Sequence, residues 1–145
     1  MTKEKFTNKS YNIFVVANEL ALKYGHHVLL NEHILLSLIG EPNGIVPTIL
    51  NKMGIEVSVL IDEVKKRLNN APKMQYQNNK ELVYSDDVDK IVEIAENYMK
   101  KYGDSYISVE HLFLASLDKN SWLKDFGVVK KNFENILKEL RGTKK

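Results

Sequence analysis

A repeat inside the chain constrains its fold more than any other feature. When the sequence is shifted by 78 residues and laid on itself, Tyr24–Gly25 falls on Tyr102–Gly103, and Glu32–His33 falls on Glu110–His111. A phrase that returns at a fixed offset indicates two similar structural units. Units of roughly 60 residues are small to fold alone, so we expect the two copies to share one core.

The offset between the copies changes part-way along the chain. GEPNGIVP in the first copy is longer than its counterpart DKNS, and beyond it the offset drops to 73, so that Gly54 falls on Gly127. The predicted units are residues 6–70 and 84–141, joined by a polar loop over 69–82 that contains Pro72. We expect residues 1–145 to form a single domain.

Each unit has the pattern of four helices. The first helix is long, and its apolar residues recur at helical spacing: Ile13, Val16, Ala17, Leu20 and Tyr24. Three shorter helices follow in each unit, over EHILLSL and VEHLFLASL, PTILNKM and SWLKDF, and VLIDEVKKRL and KKNFENILKEL. Strand signals are weak. The predicted fold class is therefore all-α, with two pseudo-symmetric four-helix repeats packed as one domain.

The predicted helix ends carry residues suited to capping. Thr7 and Ser85 can each accept a hydrogen bond from a free backbone N–H in the first turn of a long helix. Gly25 and Gly103 follow the last apolar residue of those helices, where a left-handed C-cap is expected. Further N-caps are predicted at Asn31, Ser58 and Ser108.

Charge and hydropathy argue against two classes of partner. The formal net charge is only +2, and Arg67 and Arg141 are the only arginines. Nucleic-acid-binding domains usually have a larger basic excess and more arginine for phosphate contacts, so we expect no nucleic-acid partner. No apolar run approaches the roughly 18 residues of a membrane helix, and the first ten residues have no segment of signal-peptide type. We therefore expect no membrane association.

The sequence also lacks the usual marks of an enzyme. There is no cysteine, which excludes disulfides and thiolate chemistry. The phosphate-binding pattern G-x-x-x-x-G-K-[ST] and the serine-hydrolase elbow G-x-S-x-G are both absent. We expect no catalytic residue and no cofactor in this domain.

Histidines near the start of the second helix raise the question of a metal site. His26, His27 and His33 lie close together in sequence, but a zincin motif needs two histidines at i and i+4 with a glutamate between them. Neither Glu-His pair supplies the second histidine. We therefore expect no metal site, and we predict that each Glu-His histidine packs against the turn before its helix.

The helix DDVDKIVEIAENYMKKY has a wider apolar face than one buried stripe needs. With 100° of turn per residue, Ile94 and Tyr98 lie at the flank of the core-facing side. The centre of that side is formed by Val88, Val92, Ala95, Met99 and Tyr102. Two interpretations stay open. The flank residues either pack against the other unit or form part of an exposed apolar groove that binds apolar peptide segments.

Several stretches resemble the N-terminal domain of Clp ATPases, the duplicated helical domain that precedes the AAA+ rings. They are FTNKSYNIFVVANELALKYGH, EHILLSLI, ILNKMGI and GDSYISVEHLFLASL. Within that family, NNAPKM and GDSYIS look more like the ClpB type than the ClpC or ClpA type.

The resemblance implies a domain without catalysis of its own, which captures unfolded or aggregated polypeptide for an ATP-dependent disaggregase. ATP and magnesium would belong to the full-length protein, a homohexamer, whereas we expect the isolated domain to be a monomer. The alternative is a ClpC- or ClpA-type domain that docks adaptor proteins for an unfoldase feeding a protease. Adaptors or a co-chaperone are thus further expected partners. Bacterial cytoplasm, an organelle and a secreted lumen are all compatible with the sequence.

The resemblance also implies substrate-binding positions. An apolar groove beside the first helix of the second unit would include Ile94, Tyr98 and His111, and the polar functional positions would be Thr7 and Glu110. A histidine at 111, where some members have leucine, would make such a groove more polar and sensitive to pH.

Overall fold

The chain folds into two helical units, and the structure, a computed structural model, describes residues 3–73 and 83–142. The first unit contains α1 Asn8–Lys23, α2 Asn31–Ile39, α3 Ile45–Lys52 and α4 Val57–Asn70. The second contains α5 Asp86–Lys101, α6 Val109–Lys119 and α7 Lys130–Gly142, with a 3₁₀-helix over Ser121–Phe126 between α6 and α7. The predicted all-α class with two four-helix repeats is confirmed.

The caps of the two long helices agree with the sequence. The Thr7 hydroxyl accepts a hydrogen bond from the Ser10 N–H at 3.1 Å, and the Ser85 hydroxyl accepts one from the Val88 N–H at 3.2 Å. At the other end of α1, Gly25 has φ +77° and lies in the left-handed region. These side chains and turns satisfy backbone groups that a helix end otherwise leaves unpaired.

Three other predicted ends are wrong. α2 is preceded by Leu30, so Asn31 is its first residue rather than its cap. α4 begins at Val57 after Glu56, which places Ser58 inside the first turn. α4 also continues through Asn70, so residues 69 and 70 of the predicted loop are helical. Residues 74–82 of that loop lie outside the described residues.

Two parallel backbone pairings, which the sequence analysis did not predict, join the units. The strands β1 (Val28–Leu29) and β2 (Val83–Tyr84) pair with Leu29 opposite Tyr84. Phe6 pairs with Ile107 in a single bridge. The 78-residue shift maps Phe6 onto Tyr84 and Leu29 onto Ile107. Each unit therefore pairs the segment before its long helix with the segment after the long helix of the other unit.

The buried apolar side chains form one cluster with members from both units. Phe14 of α1 stacks on Tyr84 of β2 with ring centroids 6.3 Å apart, so the core crosses between the units. In the second unit, Phe113 and Phe133 pack with centroids 4.8 Å apart, which holds α7 against α6. The two units therefore share one apolar core.

The left-handed turns after α1 and α5 generate a stability prediction. Gly25→Val and Gly103→Val should each lower the free energy of unfolding by about 1–2 kcal/mol, because a branched side chain opposes φ values of +77° and +72°. Urea unfolding would measure the change. Gly142→Val is the matched control, because this glycine has no positive φ and no atom near an added Cβ. Equal effects at all three positions would contradict the assignment.

Candidate functional site

Backbone pairing between the units brings Thr7 and Glu110 to the same cleft. The Thr7 N–H donates to the Ile107 carbonyl at 3.0 Å, and the Ser10 hydroxyl donates to the same oxygen at 2.6 Å. Glu110 lies three residues beyond Ile107, in the first turn of α6. The start of α1 and the start of α6 are thus held side by side.

The space between these helix starts, here called the inter-unit cleft, has a volume of about 540 Å³. Its walls are residues 7–9, 41–45 and 108–110, so the N-termini of α1, α3 and α6 all border it. The first turns of helices have backbone N–H groups without helical partners. The cleft combines such donors with the carboxylates of Glu41 and Glu110 and with apolar walls formed by Pro42, Ile45 and Val109.

Thr7 already has a structural role in the cleft. Besides accepting from the Ser10 N–H, its hydroxyl donates to the Ser10 hydroxyl at 3.0 Å. Loss of an N-cap of this kind costs about 1 kcal/mol of stability. A change at Thr7 therefore affects the local helix as well as any ligand, and experiments must separate the two effects.

Glu110 belongs to a charged network that fastens the last helix. Arg141 in α7 contacts both carboxylate oxygens of Asp104, at 2.6 and 2.7 Å, and lies 3.9 Å from the Glu110 carboxylate. Partial burial opposes ionisation of Asp104, but hydrogen bonds and charge from Arg141 outweigh it and lower the pKa of that carboxyl. The network links the cleft wall at Glu110 to α7.

His111 is fully buried and does not line a groove. Its Nδ1 accepts the Ser108 N–H at 2.9 Å, and its Nε2 lies 2.9 Å from the Asp104 carboxylate. Burial lowers the pKa of His111 even though the carboxylates of Glu110 and Asp104 favour its charged form. The structure contradicts the expectation of a polar, pH-sensitive groove lining at this position. It confirms the alternative prediction that the histidine packs against the turn before its helix.

Tyr98 is also closed off, with only 9% of its surface exposed. Its hydroxyl accepts a hydrogen bond from Lys130 at 2.6 Å and donates one to Asp118 at 3.3 Å. Ile94 is half-buried and packs against the core. The helical wheel assigned both residues correctly to the flank of α5, but side chains from α6 and α7 cover Tyr98. Tyr98 therefore does not line an open groove.

The first unit contains a buried histidine pair that matches the Asp104–His111 contact. His33 Nδ1 accepts the Leu30 N–H at 2.9 Å, and His33 Nε2 lies 2.9 Å from His26 Nδ1. The 78-residue shift maps this pair onto Asp104 and His111. The repeated Glu-His phrase thus marks a histidine that caps the second helix of each unit. Because the Nδ1 of this histidine accepts a hydrogen bond, its Nε2 carries the proton. In each unit the Nε2–H donates to the residue after the glycine turn.

Among the described contacts, the pair consists of His26 and His33 and does not include His27. Within residues 3–73 and 83–142 there is no group of three or more histidine or acidic side chains that could hold a metal ion. In the same part of the chain, no helix is long and apolar enough to cross a bilayer.

The family model for the Clp repeat (R) N-terminal domain matches residues 5–126. The chain belongs to this family. It is 34% identical over its whole length to the chaperone protein ClpB of Clostridium tetani, and 33% identical over 97% of its length to ClpB 2 of a Synechocystis strain. It spans only 18% and 16% of those two relatives, respectively. It is therefore a Clp N-terminal domain, as the resemblance implied.

A solved structure supports the same assignment. The Hsp104 N-terminal domain from Candida albicans superposes with a TM-score of 0.83 at 25% identity, covering 97% of this chain and 94% of that one. The two domains therefore share their architecture over nearly their full lengths.

Sequence reasoning missed the wall of the cleft that residues 41–45 form and the His26–His33 pair. The shift by 78 residues could have revealed the pair, because it places His26 on Asp104, and a histidine and a carboxylate are both good acceptors for an Nε2–H. No comparable signal marks the cleft wall, since it depends on how α3 packs against α6.

The environment of Tyr98 leads to a stability prediction. Tyr98→Ser should lower the free energy of unfolding by about 3 kcal/mol, because it leaves a cavity and removes the partner of Lys130. Tyr98→Phe is the matched control and should cost only about 1 kcal/mol, since the ring remains. Thermal melts would measure both. If Tyr98→Ser left the melting temperature nearly unchanged, the side chain would belong to an open surface.

The buried histidines predict instability in mild acid. Burial lowers the pKa values of His26 and His111, and burial together with its neighbour His26 lowers the pKa of His33 to about 4. Below about pH 6.5 these histidines bind protons in the unfolded chain but stay neutral in the folded chain. The free energy of unfolding therefore falls as the pH drops towards about 4. His33 alone should account for a loss of about 2 kcal/mol between pH 7 and pH 5.

Urea unfolding at the two pH values tests this expectation, with Trp122 fluorescence as the signal. His33→Gln should show a smaller loss between pH 7 and pH 5 than the unsubstituted chain does, whatever its stability at pH 7. Equal stability of the unsubstituted chain at both pH values would show that these histidines titrate normally.

Proposed function

We propose that this chain is the substrate-capturing N-domain of a ClpB-type, ATP-dependent disaggregase and binds unfolded or aggregated polypeptide. The domain contributes binding and no catalysis. ATP and magnesium act in other parts of the longer protein, which assembles as a homohexamer. Two observations support this proposal: membership of the family, and a cleft whose polar and apolar groups suit an extended chain.

The inter-unit cleft is the observation that carries the proposal. An extended polypeptide presents N–H and C=O groups at every residue whatever its sequence. The free N–H groups at the starts of α1, α3 and α6 can donate to its carbonyls, and the carboxylates of Glu41 and Glu110 can accept from its N–H groups. Ile45 and Val109 provide apolar contacts for side chains. A site of this kind favours exposed backbone, which distinguishes unfolded from folded protein.

The closed environment of Tyr98 and His111 changes the expected binding mode. We propose that capture depends on the cleft at Thr7 and Glu110, and that among the three predicted groove residues only Ile94 keeps surface for contact. The polar character of the cleft also favours a second candidate function, the docking of a folded adaptor protein, as in ClpC- or ClpA-type domains. Binding of an unfolded protein without any adaptor separates the two functions.

A titration with reduced casein, which stays unfolded, tests capture. Thr7→Val with Glu110→Gln should weaken binding about tenfold, because the pair loses a hydroxyl and a charged acceptor worth about 1.4 kcal/mol together. Thr7→Ser is the matched control for the cap, since serine keeps the hydroxyl that accepts from Ser10. It should bind almost as the unsubstituted domain does.

The cleft proposal requires that the weak-binding double variant remains folded, which its melting temperature reports. Casein binding that is unaffected by the double variant would place capture elsewhere on the domain. A complete absence of casein binding, with a folded domain, would favour the adaptor-docking function.

A further inference from the structure

The two units have matching backbones, but they differ in the side chains that lie between the long helix and the last helix. In the second unit, hydrogen bonds tie the long helix α5 to the last helix α7, because Tyr98 binds Lys130 and the Tyr102 hydroxyl donates to Glu134 at 2.8 Å. These bonds close the space between the two helices. The corresponding helices of the first unit are α1 and α4.

The first unit has apolar residues at the positions that form those bonds. The shifts of 78 and 73 residues map Tyr98 onto Leu20 and Lys130 onto Val57, and they map Glu134 onto Ile61. Tyr24 keeps the aromatic ring of Tyr102, and Ile61 occupies the position at which the second unit has the Glu134 carboxylate. None of these pairs can form a hydrogen bond between side chains, so α1 and α4 are not tied together as α5 and α7 are.

An open groove of about 430 Å³ lies at this place, here called the α1–α4 groove. Its apolar walls are the half-buried side chains of Val16, Leu20, Tyr24 and Ile61. Val16 and Leu20 are the positions that correspond to Ile94 and Tyr98. The apolar groove that the pattern of α5 suggested for the second unit is therefore present in the first unit.

The groove is positively charged at one end. Lys23 and Lys65 both border it, and neither forms an ion pair with a carboxylate among the residues that the structure describes. Both lysines lie towards the C-terminal ends of their helices. These ends are adjacent, because a Cβ added to Gly25, which follows α1, would lie 3.9 Å from the side chain of Lys73, which follows α4. An anionic group would be favoured there.

The other end of the groove carries Glu41. The Ser37 hydroxyl donates to the Ile13 carbonyl at 2.9 Å, which places the end of α2 against the first half of α1, away from Lys23. Glu41 follows α2 and borders the groove on that side. An occupant with carboxylates at one end and no negative charge at the other would complement this distribution.

We propose that the α1–α4 groove is a second polypeptide-binding site, which takes an apolar peptide segment flanked on one side by acidic residues. The apolar side chains pack on Val16, Leu20 and Ile61, and the carboxylates lie between Lys23 and Lys65. The inference rests on the proposed function only for the class of ligand, an unfolded polypeptide. It names a neighbouring part of the surface, which meets the inter-unit cleft at Glu41 and Pro42.

Fluorescence anisotropy with two labelled peptides tests the charge preference. Both share the same apolar core, and one is flanked by two aspartates where the other has two lysines. The acidic peptide should bind about tenfold more tightly at low salt, and Lys23→Glu with Lys65→Glu should remove that preference. Lys66→Glu, on the same helix but outside the groove, is the matched control and should leave the preference in place.

A second variant tests the groove itself without changing the lysines. Leu20→Tyr with Val57→Lys installs in the first unit the pair that closes the second unit, and it should weaken binding of the acidic peptide at least fivefold. Leu22→Ser, at an exposed position of α1 outside the groove, should bind normally. Melting curves establish that each variant is folded.

The outcomes separate this site from the inter-unit cleft. Peptide binding that persists in both groove variants, or that is lost only in Thr7→Val with Glu110→Gln, overturns the groove proposal and leaves the cleft in place. If the domain binds casein but not the acidic peptide, the groove proposal is overturned in the same way. If it binds neither casein nor the acidic peptide, the proposed function is contradicted as well. Self-association that disappears in Leu20→Tyr with Val57→Lys would assign the groove to a second copy of the chain and also overturn the proposal.

Discussion

The carbonyl of Ile107 holds the two units of this domain together at the point where its candidate site lies. It accepts the Thr7 N–H and the Ser10 hydroxyl, and the Ile107 N–H donates in turn to the Lys5 carbonyl at 2.8 Å. The same arrangement recurs at the Leu29 carbonyl, which accepts the Ser85 N–H at 3.0 Å. These reciprocal bonds set the start of each long helix beside the start of the other unit's second helix, and the inter-unit cleft follows from that placement.

The two halves use the same backbone for different chemistry. A buried histidine caps the second helix in both, but its Nε2 faces another histidine in the first unit and the carboxylate of Asp104 in the second. Asp104 also binds Arg141, so a charged contact fastens the last helix of the second unit. In the first unit the residue that corresponds to Arg141 is Leu68, which is fully buried in the core. Duplication thus preserved the fold while the side chains between α1 and α4, and between α5 and α7, diverged.

This divergence gives one small domain two different surfaces, and we propose polypeptide binding at each of them. The inter-unit cleft offers backbone donors and carboxylate acceptors, which suit the repeating groups of an extended chain. The α1–α4 groove offers apolar walls with two lysines at one end, which suit particular side chains. A module that must recognise many unfolded proteins would gain from combining a contact that ignores sequence with one that favours acidic, apolar segments.

The sequence by itself determined the class of the fold, the duplication and the ends of the long helices, because these depend on local rules. Helical spacing of apolar residues, hydroxyls at Thr7 and Ser85, and glycine at positive φ act within a few residues of the chain. The same locality explains why the Glu-His phrase could be interpreted correctly as a helix start.

Only the tertiary structure decided which surfaces are open. A helical wheel places Ile94 and Tyr98 at the edge of the buried face, but whether that edge is exposed depends on Lys130 and Asp118, which lie far along the chain. The pairing of Phe6 with Ile107 likewise involves residues about a hundred positions apart, and no strand pattern in the sequence predicts it. Contacts of this kind depend on how the units pack, and for this reason the groove predicted on α5 is found instead between α1 and α4.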